Sequence, residues 1–315
     1  MSAGAEMHAE AERRFAFGAN WESFIRTSYT PLRRARARQD LLSFLGVEHL
    51  DGLSFLDIGS GSGLHSLAAL DAGVARIHSF DYDPLSVRTT QYLRHLAGDP
   101  AHWHVEQGDV LDDAYLGTLG TFDVVYSWGV LHHTGAMWRA IDNAAALVRP
   151  GGLFFVALYS SNVATPSTAF WLDVKRRYNA AGAAGRRRME WWYIWRFGLG
   201  RNVLLYPVRL PRLLRQVYDR RRQRGMSYMA DVRDWLGGWP MEYADDQAVV
   251  DRLAAQHGQT LVNVATGEAC TQFLFRNEGA GARAIAVADF AAGRARPVGT
   301  RRLDLPARES ASEAR

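Results

Sequence analysis

The chain has 315 residues but only one cysteine, Cys270, and only one lysine, Lys175. A single cysteine excludes an internal disulfide and any cluster of thiolate ligands around a metal. The first residues, MSAGAEMHAEAERR, lack the apolar core of a secretory signal. No apolar run reaches the length of a membrane-spanning helix. The sequence therefore predicts a cytoplasmic protein.

Acidic side chains are scarce in one long segment. Between Asp173 and Arg224 the chain has 15 basic and 3 acidic residues, a net charge of +12, whereas the formal total for the whole chain is +4. Such a segment fits an anionic partner, but it also fits a solvated helical face or a genomic bias toward arginine. Charge alone leaves these interpretations open.

Strand and helix patterns alternate along much of the chain, and 48% of all residues are hydrophobic, enough for a substantial core. From about residue 53 to 160 the alternation predicts right-handed βαβ units and a parallel sheet. Residues 1–50 have helical periodicity. Arginine- and tryptophan-rich helical segments interrupt the alternation between about 164 and 240, after which a helix and two strands follow. Residues 279–315, rich in Ala, Gly, Arg and Pro, are expected to be partly disordered.

The stretch FLDIGSGSGLHS joins an apolar strand to a helix through three glycines, Gly59, Gly61 and Gly63. Glycine lets backbone N–H groups approach a ligand closely, and the following helix adds the positive end of its dipole. Dinucleotide-binding folds use the spacing G-x-G-x-x-G, whereas the spacing here is G-x-G-x-G. A tight turn without a ligand is the alternative.

Two more acids follow neighbouring strands. Asp81 ends the second strand, at the distance from the glycines where a carboxylate receives a ribose diol. Asp109 ends the third strand, in QGDV, and the backbone N–H of Val110 follows it. A dinucleotide fold does not need Asp109, whereas an adenine that is bound through its amine and a ring nitrogen does.

The segments LDIGSGSG, FDYDP, GDV, FDVVYSWGVLHH and LVRPGGLFFVALY resemble the ordered motifs of class I S-adenosylmethionine-dependent methyltransferases. The similarity runs over roughly residues 50 to 277 and is closest to the ubiquinone-biosynthesis and other small-molecule O-methyltransferases. It implies an α/β, Rossmann-like, seven-stranded sheet whose last strand is antiparallel. The expected organisation is N-terminal helices over the cofactor site (1–50), the methyltransferase domain (51–278), a helical lid insertion after the fifth strand (165–240) and a tail.

The resemblance also implies the cofactor, S-adenosyl-L-methionine, and its product, S-adenosyl-L-homocysteine. The glycines would lie under the methionine portion, Asp81 would bind the ribose hydroxyls, Asp109 and Val110 the adenine, and Asp57 the glycine loop or a cofactor-bound water. The expected cofactor-binding residues are Asp57, Gly59, Ser60, Gly61, Gly63, Asp81, Tyr82, Asp109, Val110, Trp128 and Trp21.

Aromatic side chains suit the sulfonium of this cofactor, since a cation is attracted to a ring face. Trp128, Tyr126, Phe17 and Trp21 are the candidates for that contact, and ordinary core packing is the alternative for Tyr126 and Phe17. Methyl transfer is an in-line displacement on an activated methyl group, so alignment supplies much of the rate.

His132 and His133 directly follow the fourth strand, where a histidine can take a proton from a hydroxyl acceptor. We expect transfer to oxygen, with His132 as the preferred base. In the ubiquinone-type enzymes the corresponding stretch supplies carboxylates that can hold a divalent metal. Gly129 and His132 stand in those places here, so no metal dependence is expected.

The segment EWWYIWRFGLG would form a helix that is apolar on nearly every face, so it must pack against another part of the protein. Trp191, Trp195 and Tyr228 are therefore the expected substrate-binding residues, in a cap over the acceptor pocket.

Four other functions fit parts of the sequence. An RNA methyltransferase would place arginines on phosphates, namely Arg186, Arg187, Arg188, Arg220, Arg221 and Arg222. A peripheral membrane enzyme acting on a lipid or quinone would use Trp191, Trp192 and Trp195 at the interface. A dehydrogenase would lack its third glycine and leave Asp109 unexplained, and a non-enzymatic cofactor-binding module would keep the site without turnover. A soluble small-molecule methyltransferase is the preferred interpretation.

Overall fold

In a computed structural model of the chain, the described residues are 29–199, 228–267, 269–283 and 285–288, together with residues 18, 21, 22, 25, 207, 210, 211 and 215. The tail beyond residue 288, which is expected to be partly disordered, lies outside the described residues. So do nearly half of the N-terminal helical segment and most of the arginine-rich stretch between 200 and 227.

Seven strands form one sheet: β1 (Ser54–Ile58), β2 (Arg76–Asp81), β3 (Trp103–Gln107), β4 (Phe122–Trp128), β5 (Val148–Tyr159), β6 (Gln259–Thr266) and β7 (Cys270–Asn277). Their order across the sheet is β3-β2-β1-β4-β5-β7-β6. The pairs from β3 to β5 are parallel, and β7 runs antiparallel to both of its neighbours. The predicted seven-stranded α/β sheet with an antiparallel last strand is confirmed.

The helices flank this sheet: α1 (Pro31–Leu45), α2 (Leu64–Asp71), α3 (Pro84–Leu96), α4 (Asp113–Leu116), α5 (Met137–Ala146), α6 (Thr168–Ala180), α7 (Ala183–Tyr193), α8 (Tyr228–Gly237) and α9 (Asp246–His257). A wider π-helical turn, Ile194–Leu199, continues α7. A 3₁₀ turn, Leu131–His133, follows β4.

Side chains of β1 alternate between two apolar clusters, one on each face of the sheet. Phe55 packs with Leu41 and Leu67 of α1 and α2, whereas Leu56 and Ile58 pack on the side of α5 and α9. All five residues of β1 are buried. Burial on both faces explains why the strand is a nearly continuous apolar run.

Helix starts follow local signals in the sequence. Asp83 accepts a hydrogen bond from the Leu85 backbone N–H at 2.8 Å, and Pro84 takes the first position of α3. One boundary differs from the sequence pattern, because GAMWRAIDNAAALVRP predicts a helix that runs to Pro150, whereas α5 ends at Ala146. Val148 already pairs with Phe122 of β4, so strand pairing overrides the helical pattern there.

The segment between β5 and α9 builds an apolar cluster of its own. Trp171 and Val174 of α6, Ile194 after α7, and Val232 and Leu236 of α8 form its buried part. Among the helices described here, none combines the length and the apolar character that crossing a bilayer requires.

Candidate functional site

One cavity of about 940 Å³ lies at the carboxyl ends of the parallel strands. Its lining runs from the glycine loop after β1, past the ends of β2, β3 and β4, to side chains of α6, α7 and α8. The carboxyl edge of a parallel sheet is where ligands of such folds bind.

The glycine loop keeps the floor of the cavity free of side chains. Gly59 has φ 72° and Gly61 has φ 54°, a region that favours glycine. A Cβ on Gly59 would lie 2.5 Å from the Cγ atoms of Val130, and one on Gly61 would lie 3.1 Å from Nε1 of Trp21. Gly63 forms the N-cap of α2 and, unlike Gly59 and Gly61, does not belong to the cavity lining. The loop shape therefore depends on these glycines.

Asp81 lies at the end of β2 and is tied to the glycine loop. Its Oδ2 accepts a hydrogen bond from the Gly61 backbone N–H at 2.9 Å, and its Oδ1 accepts one from the Asp83 N–H, also at 2.9 Å. Burial raises the pKa of Asp81 to about 6, although both hydrogen bonds oppose this rise. The carboxylate lines the cavity in a fixed orientation.

Asp57, buried at the end of β1, starts a hydrogen-bonded chain across three strands. Its Oδ2 accepts a bond from the Ser66 hydroxyl, whose oxygen lies 2.8 Å from that of Ser79. The Trp103 indole N–H donates to Ser79 at 2.9 Å. Burial raises the pKa of Asp57 to about 7, with the Ser66 bond acting against it and the charge of Asp81 adding to it.

The remaining predicted cofactor residues also line this cavity: Ser60, Tyr82, Asp109, Val110, Trp128 and Trp21. The hydroxyl of Ser60 lies 3.0 Å from that of Thr90 in α3. Tyr82 and Trp128 are about half exposed, at 49% and 42%. Of the N-terminal segment, the Gly18 N–H also donates to Oδ2 of Asp83 at 2.8 Å. Phe17 lies outside the described residues.

The structure separates the two histidines and corrects the preference for His132. His132 is fully buried and does not line the cavity. Its Nδ1 accepts the Tyr159 backbone N–H at 3.3 Å, so the proton of the neutral ring belongs on the buried Nε2. Burial holds its pKa well below the usual value, with the nearby His133 and Lys175 lowering it further.

His133 is the histidine that lines the cavity. Its Nδ1 lies 2.7 Å from the carbonyl oxygen of Pro240, which can only accept, so Nδ1 carries the proton and Nε2 is the unprotonated nitrogen of the neutral ring. Burial lowers the pKa of His133 to about 3, although the hydrogen bond to Pro240 acts to raise it. The stretch after α8 also holds this turn, since the Glu242 N–H donates to the carbonyl of His132 at 2.9 Å.

Two of the three predicted acceptor residues are corrected. Trp191 is 68% exposed and Trp195 43% exposed, and neither lines the cavity, whereas Tyr228 does. The helical face that turns inward carries Tyr193 and Phe197 instead. Residues 191 and 195 share a face with each other but not with 193 and 197, because the helix repeats every three to four residues.

Sequence reasoning missed most of the aromatic wall of the cavity. The wall consists of Tyr159, Trp171, Tyr193, Phe197, Trp235 and Tyr243. Helical spacing does not separate Phe197 from Trp191, since each lies three residues from Ile194. Nothing local marks Trp171 or Tyr243, which reach the cavity through the packing of α6 and of the chain after α8.

Acidic groups predominate among the charged side chains of the cavity. Six aspartates line it: Asp57, Asp81, Asp83, Asp109, Asp231 and Asp234. No lysine or arginine belongs to the lining as far as residues 29–199 and 228–288 describe it. In the same part of the chain, no three histidine, cysteine or carboxylate groups converge at the cavity with metal-ligand spacing. Metal independence stays a prediction.

The sequence model described as a methyltransferase domain matches residues 30–228. The chain belongs to this methyltransferase domain family. The family expected from the sequence motifs is thereby confirmed, and the match covers the glycine loop, Asp81, Asp109, both histidines and the first residue of α8.

Curated relatives of this methyltransferase domain have two different names. The ubiquinone biosynthesis O-methyltransferase of Methylobacterium sp. (strain 4-46) is 32% identical over 133 residues, which are 42% of this chain and 51% of that protein. The tRNA U34 carboxymethyltransferase of Methylococcus capsulatus is 33% identical over 106 residues, 34% of this chain and 32% of that protein. The chain thus spans about half the length, or less, of these relatives.

Solved methyltransferase structures resemble the chain at low identity. The magnesium protoporphyrin IX methyltransferase of Synechocystis PCC 6803 with bound SAH has a TM-score of 0.49 and 11% identity, and the match covers 86% of this chain and 99% of that chain.

Proposed function

We propose that the protein transfers the methyl group of S-adenosylmethionine to a small molecule, with oxygen as the acceptor atom. The observation that carries the proposal is the single cavity that joins the glycine loop and its acids to an aromatic wall. A cofactor on the glycine loop and an acceptor against the wall would then lie next to each other, as in-line transfer requires.

The residues of the cofactor half fit S-adenosylmethionine. A floor that a Cβ would fill, at Gly59 and Gly61, suits close backbone contact with the ligand. Asp81 would accept the ribose hydroxyls, and Asp109 with the N–H of Val110 would take the adenine. The bound cofactor supplies a methyl group on a sulfonium, and the aspartates and the rings of Trp21 and Trp128 suit its positive charge.

The acceptor half fits an apolar, ring-containing molecule without a strong negative charge. Aromatic rings form most of its wall, and the described lining has aspartates but no lysine or arginine. We propose residues 165–240 as the cap that encloses this acceptor, with Tyr193, Phe197 and Tyr228 in contact with it. Oxygen as the target agrees with relatives that are named O-methyltransferases.

His133 is the group we assign to proton removal from the acceptor. Its ring is neutral, Nδ1 is committed to Pro240, and Nε2 is the basic nitrogen. Because its pKa is about 3, the ring stays neutral across the pH range of an ordinary assay. The pH–rate profile should therefore show no inflection near pH 6.5, where an unperturbed histidine titrates.

Three variants test this assignment. His133→Ala removes both the base and the anchor to Pro240. His133→Asn keeps an amide N–H where Nδ1 stands, so it retains the anchor without a base. Both should lower turnover by roughly 10²–10⁴ while S-adenosylhomocysteine affinity stays near wild type. The control His95→Ala removes an exposed histidine beside Asp99 and should leave turnover unchanged.

The outcomes separate the interpretations. Full turnover in His133→Asn would reduce His133 to a positioning residue, and full turnover in both variants would leave alignment alone as the mechanism. Methylation of transfer RNA, with no turnover on any small phenol or quinol, would overturn the proposed substrate class. Absence of S-adenosylhomocysteine binding to the wild-type protein would overturn the proposed function itself.

A further inference from the structure

A second group of chemically active side chains lies away from the cavity, on the outer strands β2 and β3. His78 of β2 stands directly opposite His104 of β3 in the parallel register, and Glu106 follows two residues after His104. Residues two apart in a strand share a face, so all three side chains project from the same side of the sheet. β3 is the edge strand, and on it the side chains of His104 and Glu106 are 61% and 36% exposed.

The donor atoms of these three side chains converge. Nε2 of His78 lies 3.1 Å from Oε1 of Glu106, and Nε2 of His104 lies 3.0 Å from Oε2 of the same carboxylate. One ligand atom from each residue lies within 4.8 Å of the other two. Tetrahedral zinc with bonds of about 2.0–2.1 Å keeps its ligand atoms about 3.3 Å apart. The two imidazole–carboxylate separations, each to a different oxygen of Glu106, are close to that value.

We propose that His78, His104 and Glu106 form a binding site for a divalent transition-metal ion, with zinc as the expected metal. Two imidazoles and one carboxylate are ligands that zinc accepts readily, whereas magnesium prefers oxygen donors only. Water would complete the coordination from the open side, where His104 is 61% exposed.

A neutral imidazole and an ionised carboxylate are the forms that coordinate a metal, and the carboxylate of Glu106 lies within hydrogen-bonding distance of both imidazoles.

Tyr115 supplies the outer support of this site. Its hydroxyl donates to Oε1 of Glu106 at 2.8 Å and lies 3.2 Å from Nε2 of His78. Such a bond orients a ligating carboxylate. The site rests on none of the residues assigned to methyl transfer.

Zinc titration followed by calorimetry tests the proposal on the full chain without an affinity tag. Wild-type protein should bind one zinc ion per chain at micromolar concentrations, and its melting temperature should rise with zinc by mass action. Cobalt(II) should bind at the same site and give visible d–d absorption that zinc displaces. These readouts do not depend on methyltransferase activity.

Matched variants locate the ion. His104→Ala and Glu106→Gln change exposed or half-exposed positions, and each should weaken zinc binding by about tenfold or more. His95→Ala is the control, because His95 and Asp99 form a comparable exposed pair, 2.7 Å apart, without a third ligand. Zinc affinity that is unchanged in His104→Ala and Glu106→Gln would overturn the proposal, as would a wild-type protein that binds no zinc at micromolar concentrations.

Discussion

Oδ2 of Asp81 accepts a hydrogen bond from the backbone N–H of Gly61 at 2.9 Å, which joins the end of β2 to the glycine loop of β1. The contact fixes the carboxylate before any ligand arrives. A preformed acceptor loses little conformational entropy when a ribose binds, so this pair makes the cofactor half of the cavity a rigid site.

Substitution of Asp81 should weaken cofactor binding. Asp81→Ala removes charge-assisted hydrogen bonds worth about 1.5–3 kcal/mol each. Asp81→Asn keeps an oxygen that can accept the Gly61 N–H, so it should fall between Asp81→Ala and wild type. Calorimetry with S-adenosylhomocysteine measures the effect, and Asp99→Asn is the remote control. Wild-type affinity in Asp81→Ala would contradict the ribose assignment.

Cofactor binding should release protons in mildly acidic solution. The pKa of Asp57 is about 7 and that of Asp81 about 6, both raised by burial. A sulfonium and two ribose hydroxyls favour the ionised carboxylates, so binding lowers both pKa values and affinity rises with pH through this window. Calorimetry in two buffers of different ionisation enthalpy detects the protons. Equal enthalpies near pH 6.5 would contradict the prediction.

The inner and outer faces of the helical segment after α6 should differ in function. Phe197→Ala and Tyr193→Ala remove lining rings and should raise the KM for the acceptor, while cofactor affinity stays unchanged. Trp195→Ala lies on the same helical stretch but faces solvent, so its KM should match wild type. If the protein floats with liposomes and Trp195→Ala abolishes this flotation, the exposed face of the helix is a membrane-binding surface, as the membrane interpretation expects.

Acylation of Lys175 can report whether the proposed cap, residues 165–240, opens in solution. It is fully buried, its ammonium donates to the carbonyl of Trp235, and it lies 4.7 Å from the centre of the Trp235 ring. As the only lysine, it is the only side-chain amine that an acylating reagent can modify. Labelling should be at least about tenfold slower in native protein than in urea, and slower still with bound S-adenosylhomocysteine. Mass spectrometry resolves this site from the N-terminus. Equal rates in native protein and urea would show that the segment does not enclose Lys175 in solution.

Local sequence determined the sheet, the glycine loop and the acids at its edge. Strand length, flanking glycines and helix caps are properties of neighbouring residues, and parallel strands bring their carboxyl ends to one edge. The positions of Asp57, Asp81 and Asp109 therefore follow from their places at or just beyond the carboxyl ends of strands. The same reasoning failed at Ala146, where the pairing of Val148 with Phe122 outweighed helical periodicity.

Only the tertiary structure decided which side chains face the acceptor half of the cavity. His132 and His133 are neighbours in sequence, and the choice between them depends on the carbonyl of Pro240, 107 residues away from His133. The rotation of α7 against α6 and α8 likewise turned Phe197 inward and Trp191 outward. An apolar stretch predicts that a helix is buried, but the side that is buried depends on the elements that pack against it.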